Sequence, residues 1–278
     1  MSSIDPKDIM TLRQKSGLTL MACKAALENA NGDIALAESN IRKAGLSNMD
    51  GNVHRPANQG CIAVAASEDC SKCSIVEINT ETDFTAKNDG FVAMANDIAR
   101  LALQQVAGDV VKTEGMQNRV DDLRLATKEN VTWRRAKVFD GGKMGSYVHH
   151  DRKTGVVVQV DGEIDSDTLR KLCLHVASAY PAPRYIDDSS VPADVIANES
   201  DIARAQALAS GRPANIIEKM VEGKLAKFLD GIVLMRQRFV MNEDMQIKDI
   251  IPKGVTVRQF AKYVVGEDLK NRVDEIAT

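Results

Sequence analysis

Histidine is scarce in this sequence. His54, His149, His150 and His175 are the only four among 278 residues. A serine or cysteine nucleophile needs a histidine base with an orienting acid beside it, and no Gly-x-Ser-x-Gly elbow occurs. His175 lies between Leu174 and Val176-Ala177 in a helical stretch, which reads as a packed or partly exposed helix residue. His149 and His150 adjoin a hairpin turn, and adjacent strand residues point to opposite faces, so the pair is badly placed to share a metal. A Walker-type phosphate loop and a Rossmann glycine fingerprint are also missing. An excess of basic residues is missing too: the formal net charge is −3, which argues against direct nucleic-acid binding as the main activity. No apolar run reaches bilayer length. The first residues, MSSIDPKDIM, have no basic n-region and no apolar h-region. No membrane association and a cytoplasmic location are therefore expected. These absences leave no catalytic, metal or cofactor site to assign.

The five cysteines are odd in number and irregularly spaced, which suits reduced thiols. Cys70-Ser-Lys-Cys73 is a lone C-x-x-C. With Cys61 and His54 it offers four ligands for zinc, but the second half of a usual zinc pattern is absent. The alternative is a hairpin tip that happens to carry two thiols, and the role of the pair stays open.

What is present is surface and packing. The length suggests two or three units. Residues 1–45 read as three short helices. Asp5 and Pro6 open the first, which Gly17 ends. Thr19 caps LMACKAALEN, with Leu20, Cys23, Leu27 and Ala30 on one face. Asp33 caps IALAESNIRKA, which Gly45 ends. Residues 46–59 read as a linker. CIAVAA (61–66) and CSIVEI (73–78) read as paired strands. Phe91, Met94, Ile98, Leu101, Ala102 and Gln105 form a helical stripe, a second helix covers 116–129, and VTWRRAKVF (131–139) returns as a strand. SYVHH and TGVVVQVDG flank the turn Asp151-Arg152-Lys153, and a helix over 166–179 ends before Pro181 and Pro183. A strand pair followed by a helix thus occurs twice. Residues 192–230 read as two helices broken at Gly211-Arg212-Pro213, an antiparallel hairpin. GIVLMRQRFVM (231–241) and VTVRQFAKYVV (255–265) read as strands, so the hairpin interrupts the third unit.

One stretch resists this reading. In INTETDFTAKNDGF (78–91) a phenylalanine, Phe84, sits in the connection between a strand and a helix, next to Asp83. Residue physics alone favours a core residue covering the sheet edge.

LRQKSGLTLMACKAALENANGDIALA (12–37) and ETDFTAKN (81–88) resemble motifs of the bacterial elongation factor Ts family. NVTWRRA, GSYVHHDRKTGVVVQV, LHVASAYP, SGRPANIIEKMVEGKLAKF, FVM and VGEDL follow in the family's order. The resemblance implies an α+β fold: an N-terminal three-helix module like a ubiquitin-associated domain (1–45), a linker (46–59), and a two-subdomain α/β sandwich core with antiparallel sheets. The core halves are 60–140 and 141–191 with 231–278, interrupted by a coiled-coil, dimerisation-type hairpin (192–230). It implies a guanine nucleotide exchange factor, not an enzyme, whose partner is elongation factor Tu in GDP-bound and nucleotide-free form, with a homodimer or a two-plus-two complex as further assemblies.

It also reverses the reading of Phe84. Thr82, Asp83, Phe84 and Thr85 match the segment that enters the partner's nucleotide-binding domain and dislodges Mg²⁺. Leu12, Arg13, Leu20, Met21 and Lys24 match partner-facing positions of the N-terminal module, and His175 matches a histidine that meets the partner's third domain. For the aliphatic ones the three-helix core is the alternative. This sequence departs from the family at Thr85, where valine is usual, at Leu18-Thr19, and at Ala22, where an acid is frequent. A module that binds elongation factor Tu without efficient exchange, as a chaperone would, is the competing reading. A thiol protein using Cys70 and Cys73 and a tRNA-binding protein are weaker ones.

Overall fold

A computed structural model describes residues 4–16, 20–49, 54–209 and 213–269. The expected stop at Gly17, the cap at Thr19 and the break at Gly211-Arg212 fall outside these residues. Within them the fold is α+β, with ten α-helices and antiparallel sheets.

Three helices come first: α1 (Pro6–Ser16), α2 (Leu20–Asn29) and α3 (Ile34–Met49). Asp5 accepts from the Lys7 amide at 2.8 Å and Asp33 from the Leu36 amide at 3.0 Å, so both expected caps satisfy orphan donors of a helix start. Ile9, Leu12, Cys23, Leu27, Ala30 and Ala37 close a small core. Leu20, expected on that face, is 45 % exposed.

Helix α3 does not stop at Gly45. It continues to Met49, and a Cβ at Gly45 would lie 2.6 Å from a methyl of Leu125. Glycine is there because α3 crosses closely over α6 (Glu114–Thr127), not because the helix ends. Arg42 beside it hydrogen-bonds the Asn118 carbonyl and Asp122 on α6.

The core is two antiparallel sheets face to face, with helices outside. In the first, β1 (Gln59–Ala66) pairs with β2 (Lys72–Thr80), β2 with β4 (Thr132–Asp140), and β4 with the two-residue β3 (Gly108–Asp109). In the second, β5 (Lys143–Val148) pairs with β6 (Thr154–Asp161), and β6 with β9 (Thr256–Val264). Side chains alternate between faces with the strand period of two. Cys61, Ala63, Val76 and Ile78 meet α5 (Asp89–Ala102) and α6, while Ile62, Cys73, Ile75 and Phe139 meet Met144, Val157, Ala261 and Tyr263 between the sheets. Val156, Val158 and Val160 face away from that layer, onto α7 (Ser166–Ser178). At Gly155 a Cβ would come within 2.3 Å of Ile62, so glycine lets the sheets approach.

The repeat expected from the strand pair and helix is present, and it extends further. Each sheet has a register shift after a buried polar residue of an inner strand, Glu77 in β2 and Gln159 in β6. Such a bulge puts two residues opposite one. In β4 it brings both Arg134 and Arg135 to Glu77, at 3.7 and 2.8 Å. The Gly266 amide donates to Glu77 at 3.0 Å, and Glu267 bonds Arg135, whose guanidinium lies 3.9 Å from the Tyr263 ring centre.

Helices α8 (Ala193–Leu208) and α9 (Ala214–Ile232) pack on each other through Ala203, Ala207, Ile217 and Val221. The expected strand over 231–241 is not one. Helix α9 runs on to Ile232, a 3-10 turn covers Leu234–Arg236, and only Arg238–Phe239 (β7) pairs, with β8 (Asn242–Gln246). Ile232, Val233 and Leu234 are buried consecutively, a pattern without the alternation of a strand. The one-turn helix α10 (Ile247–Ile250) follows. No described helix is long and apolar enough to cross a membrane.

Candidate functional site

Strand β2 ends at Thr80, and the chain turns through Glu81 and Thr82 into α4 (Asp83–Ala86), a single helical turn. Thr82 is its N-cap, with its hydroxyl accepting from the Thr85 amide at 3.3 Å. Ala86 is buried and Phe84, two residues earlier, is 83 % exposed. Two positions on a helix are about 200° apart, so seating Ala86 against the sheet swings Phe84 outward. Asn88 then caps α5 through the Gly90 amide at 2.8 Å, and Phe91 is fully buried. Of the two phenylalanines in this stretch, one is core and the other is displayed.

The turn is held from outside its own sequence neighbourhood. Glu129 accepts from the Thr80 hydroxyl at 2.7 Å and the Thr82 amide at 3.1 Å through Oε2, and from the Thr82 and Thr85 hydroxyls, both at 2.7 Å, through Oε1. Burial pushes its carboxyl up, but the hydrogen bonds from Thr82, Thr85 and Thr80 together hold it below the usual carboxylate range. Helix α6, expected to reach residue 129, ends at Thr127. Lys128 takes a left-handed conformation (φ 61°) as its cap, which turns Glu129 away from the helix and toward α4. The Glu81 carboxylate accepts from the Asn130 amide at 2.7 Å. Asp83 takes a 2.7 Å hydrogen bond from Lys87, and that bond chiefly lowers the Asp83 carboxyl below its ordinary value.

The structure does not group the remaining candidates with this turn. Arg13, Leu20, Met21 and Lys24 are exposed on the N-terminal helices, Met21 by 76 %, and Lys24 lies 3.8 Å from Glu28. Leu12 is fully buried in the three-helix core, which is its packing role and not a surface one. His175 is fully buried as well. Its Nε2 lies 2.9 Å from Gln237 Oε1, and its Nδ1 accepts from the Val240 amide at 3.3 Å. Gln237 donates its amide to the Pro181 and Gly231 carbonyls at 2.9 and 2.7 Å, so its oxygen faces the imidazole and the proton sits on Nε2. Burial, with Lys262 nearby, lowers the His175 pKa against the opposing bond to Gln237. The neutral imidazole braces α7 against the segment leading to Val240 and Met241, which are 41 % and 52 % exposed. That segment stands between two open clefts of about 560 and 580 Å³.

The thiols divide sharply. Cys70 is exposed at the β1–β2 turn with φ 56°, whereas Cys73 is buried between the sheets. Burial pushes Cys61, Cys73 and Cys173 each up to about 12, which leaves them protonated and unreactive. Among the described residues no group of three or more His, Cys, Asp or Glu is placed to hold a metal ion.

Sequence reasoning missed Glu129. Its hydroxyl and amide donors lie 44 to 49 residues upstream, and no periodicity or local motif marks a contact at that range.

Comparison with known proteins supplies the rest. Residues 81–267 match the family model described as "Elongation factor TS". The chain is 39% identical over 286 residues to the elongation factor Ts of Psychrobacter sp. (strain PRwf-1), covering 100% of this chain and 96% of that protein. It is 36% identical over 283 residues to the elongation factor Ts of Psychrobacter arcticus, covering 99% and 94%. The same identity holds over 283 residues with that of Acinetobacter baumannii (strain ATCC 17978), covering 99% and 95%. With the family model spanning well over half of its length and these relatives aligned almost end to end, the chain belongs to the elongation factor Ts family.

Proposed function

We propose that the protein is a guanine nucleotide exchange factor for elongation factor Tu, and that α4 delivers Phe84 into the partner's nucleotide-binding domain to dislodge Mg²⁺ and GDP. The observation that carries this is a large aromatic, 83 % exposed, on a one-turn helix that buries Ala86 against the sheet and is tied to Glu129 through Thr82 and Thr85. GDP is held by phosphate contacts and Mg²⁺ together, and a small shift of the phosphate-binding loop weakens several at once. A side chain that gains its contacts only in the shifted state supplies the differential affinity that moves such an equilibrium. Thr82, Asp83 and Thr85 shape the turn. No bond chemistry is required of the protein, and GTP binding to the partner ends the cycle.

The domain division that goes with this reading is 1–45, 46–59, 60–140, 141–191 with 231–278, and 192–230. The N-terminal helices act as a ubiquitin-associated-like module that grips the partner through Arg13, Leu20, Met21 and Lys24, with Leu12 supporting them from the core. The Val240–Met241 segment, braced by His175, meets the partner's third domain. The 192–230 hairpin is the coiled-coil, dimerisation-type segment. Its seam is closed internally, yet Ile202, Leu208 and Ile216 remain exposed by 42 %, 59 % and 38 %, apolar surface suited to self-association or to a second contact with the partner.

Stopped-flow release of a fluorescent GDP analogue from the cognate elongation factor Tu tests the proposal. Strong acceleration by the wild type that Phe84→Ala largely loses is the expected result. Binding without acceleration would replace exchange with a chaperone-like holding role.

A further inference from the structure

A four-residue helix has little stability of its own, because its first turn fixes many torsions for one hydrogen bond. Helix α4 buries only Ala86, so apolar packing contributes little to holding it, and an exposed Phe84 gains by folding back over the sheet. Something must oppose that collapse. A carboxylate offers about four acceptor sites, and on Glu129 all four are taken by Thr80, Thr82 and Thr85. Glu129 itself stands at the end of α6, the helix on which α3 docks through Arg42 and Gly45.

We propose that Glu129 is a positioning residue for exchange: it clamps α4 as a preformed pedestal, so that Phe84 meets the nucleotide-binding partner already extended. Thr85 is part of the clamp, its hydroxyl adding a donor that valine cannot supply. Because the clamp follows two residues after α6, which also carries the docking surface of α3, the N-terminal helices and Phe84 are tied to one strut. The proposal rests on the exchange reading above, and it concerns delivery of Phe84, not contact with nucleotide.

The test is GDP-analogue release from elongation factor Tu at saturating protein. The variants are Glu129→Gln, Thr85→Val and Phe84→Ala, with the first two combined with each other and each also with Phe84→Ala. Glutamine keeps the shape of Glu129 but only one acceptor oxygen, so half of the clamp is lost. The maximal release rate is expected to fall about tenfold for Glu129→Gln and about threefold for Thr85→Val, the scale of losing hydrogen bonds to a charged group. Thr85→Val added to Glu129→Gln should cost less than it does alone, since both weaken one clamp. The deciding readout is the Phe84→Ala background. Once the aromatic is gone, Glu129→Gln should change the release rate no further.

A slowing by Glu129→Gln that persists without Phe84 would overturn the proposal in favour of a general structural role. Wild-type rates in both Glu129→Gln and Thr85→Val would overturn it while leaving the exchange reading intact. No acceleration by the wild type would remove the exchange reading itself, a distinct result. Should Glu129→Gln fail to fold, Thr85→Val with and without Phe84→Ala makes the same comparison. Amide hydrogen exchange over residues 82–87 should quicken in the clamp variants before any partner is added.

Discussion

Two strand-to-helix connections, one in each half of the core, start from the same frame and end differently. Each leaves an inner strand of an antiparallel sheet a few residues after a buried polar side chain at a bulge, Glu77 in one and Gln159 in the other. Each enters a helix capped by a side chain, Asn88 or Asp165. Between β6 and α7 there are four residues, and Ile164 among them turns inward to 3 % exposure. Between β2 and α5 there are eight, and Phe84 among them turns outward to 83 %. The frame by itself buries its apolar residue. Displaying one takes an additional helical turn and a carboxylate brought from another part of the chain.

The comparison can be broken most severely at Ile164. Ile164→Ala should cost about 2–5 kcal/mol of stability, as core truncations do, read as a lowered denaturation midpoint. Release of GDP from the partner, measured on the folded fraction, should be unchanged. Phe84→Ala should do the reverse. Exchange should lose about 2 kcal/mol or more of drive, roughly thirtyfold in rate, as for an interface anchor, with stability altered by no more than about 0.5 kcal/mol. If both truncations lowered stability alike, the two connections would be doing the same job.

Smaller effects sharpen the parallel. Asn88→Ala and Asp165→Ala each remove a helix cap and should each cost about 1 kcal/mol. Equal losses in chemical denaturation would mark the caps as the shared part of the frame. The smallest effect belongs to His175 and shows only on acidification. Its folded pKa is lowered, chiefly by burial, so below the ordinary imidazole value the unfolded chain binds a proton that the folded one refuses. Stability from this residue is therefore full above about pH 6.5 and is lost progressively as pH falls toward the lowered folded value. A His175→Gln variant should flatten that part of a midpoint-against-pH curve.

Much of the frame was legible because burial follows simple periods. The strands β1, β2, β4, β5, β6 and β9 alternate between two apolar layers, and Phe91, Met94, Ile98 and Ala102 recur at helical spacing. Legibility failed where one residue type serves two physical ends. Gly45 was expected to stop a helix, yet it admits Leu125 against one. The run GIVLMRQRFVM was expected to be a strand, but a continuous apolar run fits any buried backbone, and here it is a helix end, a 3-10 turn and two paired residues. At the candidate site, Asp83 and Phe84 were marked by family resemblance, since residue physics alone placed Phe84 in the core. Glu129 was marked by nothing, because its partners meet it only after the sheet has formed.

The charge group around Glu77 sets a schedule for the chain as it leaves the ribosome. Glu77, Arg134 and Arg135 emerge early, two cations facing one anion. Tyr263, the Gly266 amide and Glu267, which complete the group, follow more than a hundred residues later. Strand β6 waits equally long for β9, since Thr154 pairs with Val264. At ordinary synthesis speeds of about 5–20 residues per second, the first sheet stands for roughly ten seconds with an uncompensated charge at the face that its counterpart will cover. Vectorial folding can therefore begin at the N-terminal helices but cannot seal the sandwich until β9 has been synthesised, and a transcript truncated before β9 would yield a half-sandwich with its inner face open to aggregation.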